Sequence, residues 1–321
     1  MRAFVTGATG FVGGRLVARL RERGDEVLAL VRSKERARSA VLDAELVEGA
    51  LSDRERLADA IAGADAVFHL AADYRVGIPK EERAAMAETN VRGTENVLDA
   101  AHDAGVARTV YVSTVNAFGN THGVVVDETY RRAGDEFVSE YDRTKWLAHL
   151  AAEERIARGD PVVIVMPGVV YGPGDRSQLG GQLADAARGK LAFVSFPALG
   201  FNAVHVDDVV TGILLAHDRG RVGEAYVLGG ELTTMRDAVR AAAAAAGRRP
   251  PRFTLPTVLM RPLVPIGGLV GRVMGTAPNL GELISASHDV TYWARDDKAR
   301  RELGYDPRPL AAGFAETFGA R

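Results

Sequence analysis

Thr6-Gly7-Ala8-Thr9-Gly10-Phe11-Val12-Gly13 follows a short apolar run at residues 3–6 and opens a helical stretch at 14–23. Glycines at this spacing, between a strand and a helix, prepare the backbone for an anion. Gly7 permits the tight turn, Gly10 lets backbone approach a pyrophosphate, and Gly13 lets helix and strand pack closely, with the anion on the helix N-terminus. The triplet alone is a weak signal; the strand-loop-helix context strengthens it. The reading is a dinucleotide-binding loop in which Thr9, Phe11 and Val12 share the cofactor contacts. The bland alternative is a glycine-rich turn.

Beyond this unit, short β-branched runs alternate with Ala/Arg/Glu-rich helical stretches: 26–31, 54–61, 66–70, 89–104, 109–113, 141–158 and 162–166. Repeated βα units predict a doubly wound parallel sheet with helices on both faces. After Pro167 the pattern loosens into loops rich in glycine and proline. Residues 202–205 and 225–228 read as returning strands around a helix at 208–217, so the lobes interleave. The expected division is a nucleotide domain over 1–168 with 203–228 returning to it, and a smaller C-terminal substrate lobe over 169–202 and 229–321. The alanine run 241–246 fits a helix.

The 321 residues are 47% apolar and 26% charged, which is ordinary globular usage. Forty basic and 42 acidic side chains give a formal net charge of −2 and argue against a nucleic-acid footprint. The absence of cysteine excludes disulfides and thiolate chemistry and fits a cytoplasmic setting. No secretory leader is expected before the first strand. The hydrophobic stretch 253–274 is broken by Arg261, Arg272, Pro256, Pro262 and Pro265, and so reads as helical substrate-lobe structure and not a membrane span. A position at a membrane surface is the lesser alternative.

The second strand ends in Arg32, where NAD-binding versions usually carry an acid for the ribose hydroxyls. A guanidinium there suits a 2′-phosphate, and Ser33, Lys34 and Arg36 add donors, so NADP(H) is favoured over NAD(H). The bland reading is a basic, solvated helix start. Further on, Tyr141-Asp142-Arg143-Thr144-Lys145 places a phenol and an ammonium four residues apart on one helix face. Lowering a phenol from about 10 towards neutrality costs about 4 kcal/mol, which one cation at about 4 Å can supply. Residues 109–114 form a buried-strand pattern ending in Ser113-Thr114, one of whose hydroxyls would hold a substrate oxygen. A packed tyrosine beside a solvated lysine is the competing reading.

Together these motifs resemble the extended short-chain dehydrogenase/reductases, the NAD-dependent epimerase/dehydratase superfamily, over nearly the whole chain. The resemblance also rests on residues 67–72, Asn90-Val91-Arg92-Gly93-Thr94, Tyr171-Gly172-Pro173 and 204–208. Within the superfamily, residues 71–75, Met166-Pro167-Gly168 and the tail at 292–305 look like the dihydroflavonol-reductase-like branch. The resemblance implies a Rossmann sheet, with Thr114, Tyr141 and Lys145 as catalytic residues. Phe118-Gly119, matched to the family's Tyr-Gly, selects Thr114 over Ser113. It further implies cofactor contacts from Leu70, Ala71 and Ala72, from Pro167, Gly168 and Val170 near the nicotinamide, and from Leu51 over the adenine, where Ala50 replaces the usual acid. A homodimer through helices at 89–104 and 141–158 is implied in the same way.

His69 and His205 at apolar strand ends read as histidines satisfied by backbone, and no metal is expected. Asp207 and Asp208 read as helix N-caps. Asn90 either orients a water or anchors backbone. Three functions follow: an NADP(H)-dependent reductase acting on a carbonyl or secondary alcohol of a small organic substrate, a nucleotide-sugar epimerase, and a silent cofactor sensor. Val115-Asn116, in place of a dehydratase's Asp-Glu, argues against dehydration, and Val169 stands where sugar-nucleotide enzymes commonly have asparagine.

Overall fold

The computed structural model describes residues 1–38, 43–134, 136–255, 264 and 279–319. The chain opens with β1 (Arg2–Thr6), α1 (Phe11–Glu22), β2 (Glu26–Val31), α2 (Lys34–Arg38), β3 (Glu45–Glu48), α3 (Arg54–Ile61) and β4 (Ala66–His69). Next come α4 (Arg83–Ala87), a π-helical turn at Glu88–Arg92, α5 (Gly93–Asp103), β5 (Arg108–Val112), α6 (Glu140–Ala157) and β6 (Val162–Pro167). The second part contains β7 (Val169–Tyr171), α7 (Gln178–Ala187), β8 (Phe193–Ser195), β9 (Gly200–His205), α8 (Val206–Arg219), β10 (Ala225–Leu228), β11 (Glu231–Thr234), α9 (Met235–Ala245) and β12 (Phe253–Leu255). It closes with α10 (Leu280–Ser287), β13 (Thr291–Tyr292), α11 (Asp297–Leu303) and α12 (Leu310–Phe318).

Seven parallel strands form the central sheet in the order β3-β2-β1-β4-β5-β6-β10. The α/β doubly wound sheet expected from the sequence is present. Its strands are continuous apolar runs because helices cover both faces: Phe4, Val5, Phe68, Val110 and Val163 are fully buried. Each such side chain stabilises the fold by roughly 1.5–3 kcal/mol. The order reverses between β1 and β4, and ligands of such sheets bind at the carboxyl ends of the strands flanking that switch. β3 escapes the sequence reading because Glu45-Leu46-Val47-Glu48 is four residues long and only half-buried.

β9 joins a four-stranded sheet with β7, β11 and β13, whereas β10 closes the edge of the central sheet. Gly168 makes the passage between the sheets possible: a Cβ there would lie 2.6 Å from the Asn202 carbonyl oxygen on β9. The Asn202 amide donates to the Ala294 oxygen at 2.7 Å and accepts from the Ala294 N–H at 2.9 Å, tying β9 to the C-terminal segment. Most of the stretch 253–274 read as substrate-lobe helix lies outside the described residues, and among those described no helix is long and apolar enough to cross a membrane.

Candidate active site

Three glycines shape the turn from β1 into α1. Gly7 adopts φ +73°, and a Cβ there would meet the Ala71 nitrogen at 2.8 Å. At Gly13 a Cβ would lie 2.1 Å from the Gly7 carbonyl oxygen, so this position brings helix onto strand. Gly10 is the N-cap of α1 and offers no side-chain cap, leaving the first N–H groups directed at the loop. Such an uncapped, inward-facing helix end suits a pyrophosphate.

The loop faces a cavity of about 600 Å³ whose lining includes Gly7, Thr9, Gly10, Arg32, Leu51, Leu70, Ala71 and Ala72. Phe11, Val12 and Gly13 begin α1 beside it. Pro167 ends β6, and Val170 lies on β7 against the core, so these two and Gly168 stand outside this lining. Arg32 is exposed on the cavity wall and has no ion-pair partner among the described residues.

A buried chain of Thr94, His69 and Thr6 supports the wall at Leu70 and Ala71. Thr94 donates to the Asn90 oxygen at 2.7 Å, which leaves its hydroxyl to accept from His69 Nε2 at 3.0 Å. His69 Nδ1 then accepts from the Thr6 hydroxyl at 2.7 Å, and Thr6 Oγ1 in turn accepts from the Leu70 and Ala71 N–H groups, each at 3.2 Å. His69 is thus satisfied by hydroxyls, not by backbone as the sequence suggested. Burial, with Lys145 nearby, drives its pKa down to about 3 and keeps it neutral. Asn90 acts as an anchor: its amide accepts from Asp73 N–H at 2.7 Å and donates to the Asp73 oxygen and Thr144.

Thr114 follows β5, and Tyr141 and Lys145 sit one turn apart on α6, whose N-cap Ser139 accepts from the Asp142 N–H. All three candidate catalytic side chains are buried. Burial, then Tyr74, Asp142 and Tyr111, push the Tyr141 phenol well above its ordinary value, against a downward pull from a Thr114 hydrogen bond. Lys145 Nζ donates to the Val112 carbonyl at 3.0 Å and to the Tyr111 hydroxyl at 3.2 Å, and burial brings it down to about 7. In the protein alone, desolvation of the phenol therefore outweighs the lowering that the Tyr-Lys spacing led one to expect. Tyr74, 56% exposed, sets its ring edge-on to Tyr141 with centroids 4.9 Å apart.

A second network lies behind these groups. Thr114 donates to Asn116 Oδ1 at 3.3 Å, Asn116 Nδ2 donates to Asp142 Oδ1 at 2.9 Å, and the Tyr292 hydroxyl donates to Asp142 Oδ2 at 2.9 Å. Burial raises the Asp142 carboxyl to about 6 despite its hydrogen bonds from Asn116 and Tyr292. Sequence reasoning passed over Asp142 and Tyr292, although both lie within motifs it had singled out.

Elsewhere, His205 rather than Asp207 or Asp208 caps α8, accepting from the Asp207 N–H at 3.3 Å. The two aspartates are free to bind Arg15 and Arg308. Among the described residues, His205, Asp207 and Glu316 bring metal-ligand atoms within 4.8 Å of one another. Both carboxylates already carry arginine partners, Arg15 and Arg308.

A sequence model of the NAD dependent epimerase/dehydratase family matches residues 3–229. A Synechocystis sp. protein assigned by its name to the dihydroflavonol 4-reductases is 33% identical, covering 98% of this chain and 92% of its own. The 4-hydroxy-2-methyl-3-oxo-4-farnesyl-3,4-dihydroquinoline-1-oxide ketoreductase of Stigmatella aurantiaca is 34% identical over 96% of this chain and 92% of its own. A double mutant of dTDP-glucose 4,6-dehydratase from Streptomyces venezuelae, solved with NAD bound, superposes with a TM-score of 0.78 at 28% identity, over 99% of this chain and 96% of that one.

Proposed function

This chain belongs to the NAD dependent epimerase/dehydratase family and is an NAD(P)-dependent oxidoreductase, and from that premise we propose that it reduces the carbonyl of a small organic substrate using NADPH. The observation that carries the reading is the placement of Tyr141: a buried phenol one turn from Lys145 on α6, its pKa raised by burial, with a proton to give to a substrate oxygen. When bound, the reduced cofactor supplies the hydride. Tyr141 gives its proton to the substrate oxygen as that oxygen gains negative charge. Thr114 turns its hydroxyl from Asn116 to the same oxygen and fixes the carbonyl's direction. Lys145, three donors beside Tyr111 and the end of β5, binds the cofactor ribose and offsets the phenolate left on Tyr141.

Three features support such a cofactor: the uncapped α1 terminus, glycines that let the turn and α1 pack closely beneath it, and Arg32 on the cavity wall as a partner for a 2′-phosphate. The Stigmatella relative is named as the ketoreductase of a 3-oxo dihydroquinoline oxide that carries a farnesyl group, which favours such ketones over nucleotide sugars. In the epimerase reading, which the family name also covers, cofactor is reduced and reoxidised within one turnover. The test is loss of reduced-nicotinamide absorbance against a panel of aldehydes, ketones and diketones. Turnover with NADPH that falls by about 10²–10⁴ in Tyr141→Phe, with cofactor affinity retained, is the expected result. If no carbonyl consumes cofactor and nucleotide sugars are interconverted by protein that retains nicotinamide, the reductase reading fails.

A further inference from the structure

One edge of the second lobe gathers positive charge that is neutralised over much of the remaining surface. From Arg240 to Gly281 the sequence holds six arginines (240, 248, 249, 252, 261 and 272) and no aspartate or glutamate, in a chain whose net charge is −2. Apart from these arginines and Thr254, Thr257, Thr276 and Asn279, every residue of that stretch is alanine, glycine, proline, phenylalanine, methionine or a branched aliphatic.

The fold brings the described part of this stretch together with α7 and β8. α9 is followed by Gly247 at φ +65° and then Arg248, which lies beside Gly189, next to Lys190. β12 pairs in parallel with β8, setting Phe253 opposite Phe193. The two rings are 73% and 42% exposed. Beside them Arg236, Arg240 and Arg252 line a groove of about 230 Å³ with Val194, Val239 and Pro251. Arg188 and Arg240 pair with Asp185 and Asp237. Lys190, Arg236, Arg248, Arg249 and Arg252 have no ion-pair partner among the described residues. Elsewhere exposed arginines such as Arg23, Arg158 and Arg221 find carboxylates.

We propose that this edge docks on an anionic phospholipid surface, with lipid phosphates against Arg236, Arg240 and Arg252 and the Phe193–Phe253 pair entering the headgroup–acyl boundary. Guanidinium forks bind phosphate oxygens, and exposed aromatic rings beside cations are the composition that settles at a bilayer interface. Nucleic acid shares the phosphate but not the rest: beside the arginines the described groove offers Val194, Val239, Pro251 and the exposed Phe193 and Phe253 rings, which suit acyl chains. The proposal holds whichever reaction the nicotinamide cavity supports.

The test is flotation of the whole protein with vesicles of phosphatidylcholine alone or mixed with phosphatidylglycerol. The protein floats with the mixed vesicles and not with the neutral ones, and added salt weakens its binding. Each cation removed costs about fivefold in partition, so Arg236→Gln with Arg252→Gln costs about twenty-five-fold; Phe253→Ser also weakens binding. Both variants keep wild-type melting and nicotinamide binding, which separates lost docking from lost folding. Equal flotation with neutral vesicles, no flotation with mixed ones, wild-type flotation of the variants, or retention of inorganic phosphate or DNA without vesicles each overturns the proposal.

Discussion

The glycine loop after β1 and the candidate catalytic corner around Tyr141, both at the carboxyl ends of central strands, are built by different means. Between Gly7 and Gly13 the constraint is backbone against backbone within seven residues, with a hypothetical Cβ 2.1 Å from a carbonyl oxygen. Around Tyr141 the constraint is side chain against side chain across the chain: Asp142 is held by Asn116, 26 positions away, and by Tyr292, 150 positions away. Local backbone geometry tolerates few residues, whereas a long-range network can be rebuilt from many. The difference predicts that damage to the loop is abrupt and damage to the corner is graded and pH-dependent.

The sharpest break would come at Gly13. Gly13→Ala forces either α1 or the Gly7 turn to move, at about 3 kcal/mol or more, the upper end of overpacking costs. Urea unfolding should show that loss, with nicotinamide binding abolished; a variant that still binds cofactor normally would mean the close approach is not needed.

Asp142 sharpens the other side. Its carboxyl is raised to about 6 in the folded protein from an ordinary 3.8, so the folded state holds the proton more tightly. That contribution to stability is complete below the unfolded value and is lost as pH rises through about 6. Asp142→Asn lacks this loss, so the stability of the variant relative to wild type should climb by about 2–3 kcal/mol between pH 4 and pH 7. Taking the difference is needed because neutral, buried His69 moves wild-type stability the opposite way over the same range. A flat difference would show that Asp142 does not titrate as a buried acid.

The smallest of these effects concerns cofactor choice. Arg32→Gln should lower NADPH affinity about tenfold and leave NADH affinity nearly unchanged, as expected on losing one charge-assisted contact on an exposed wall. Equal losses for both cofactors would place Arg32 outside the 2′-phosphate site.

The same contrast explains what the sequence disclosed. The β1-loop-α1 unit and the Tyr-x-x-x-Lys spacing are legible because their geometry is set by residues a few positions apart. β3 was missed for want of length and burial. His69 was read as backbone-satisfied because nothing in Val67-Phe68-His69 announces hydroxyls from Thr6 and Thr94, which only the sheet and α5 bring to the ring. Asp207 and Asp208 looked like caps by residue type, yet His205 has that position because α8 starts at Val206. Tyr292 belongs to the site only through β13, a two-residue strand with no periodicity to read, whereas Asn116 follows Thr114 directly but reaches Asp142 only across the fold.

The most direct test of the central claim uses NADPH carrying deuterium at the transferable position, incubated with a ketone that is turned over. The account predicts one deuterium on the product carbinol carbon and one NADP⁺ formed per product, seen by mass spectrometry. Product without cofactor-derived deuterium, formed with no net oxidation of cofactor, would contradict it.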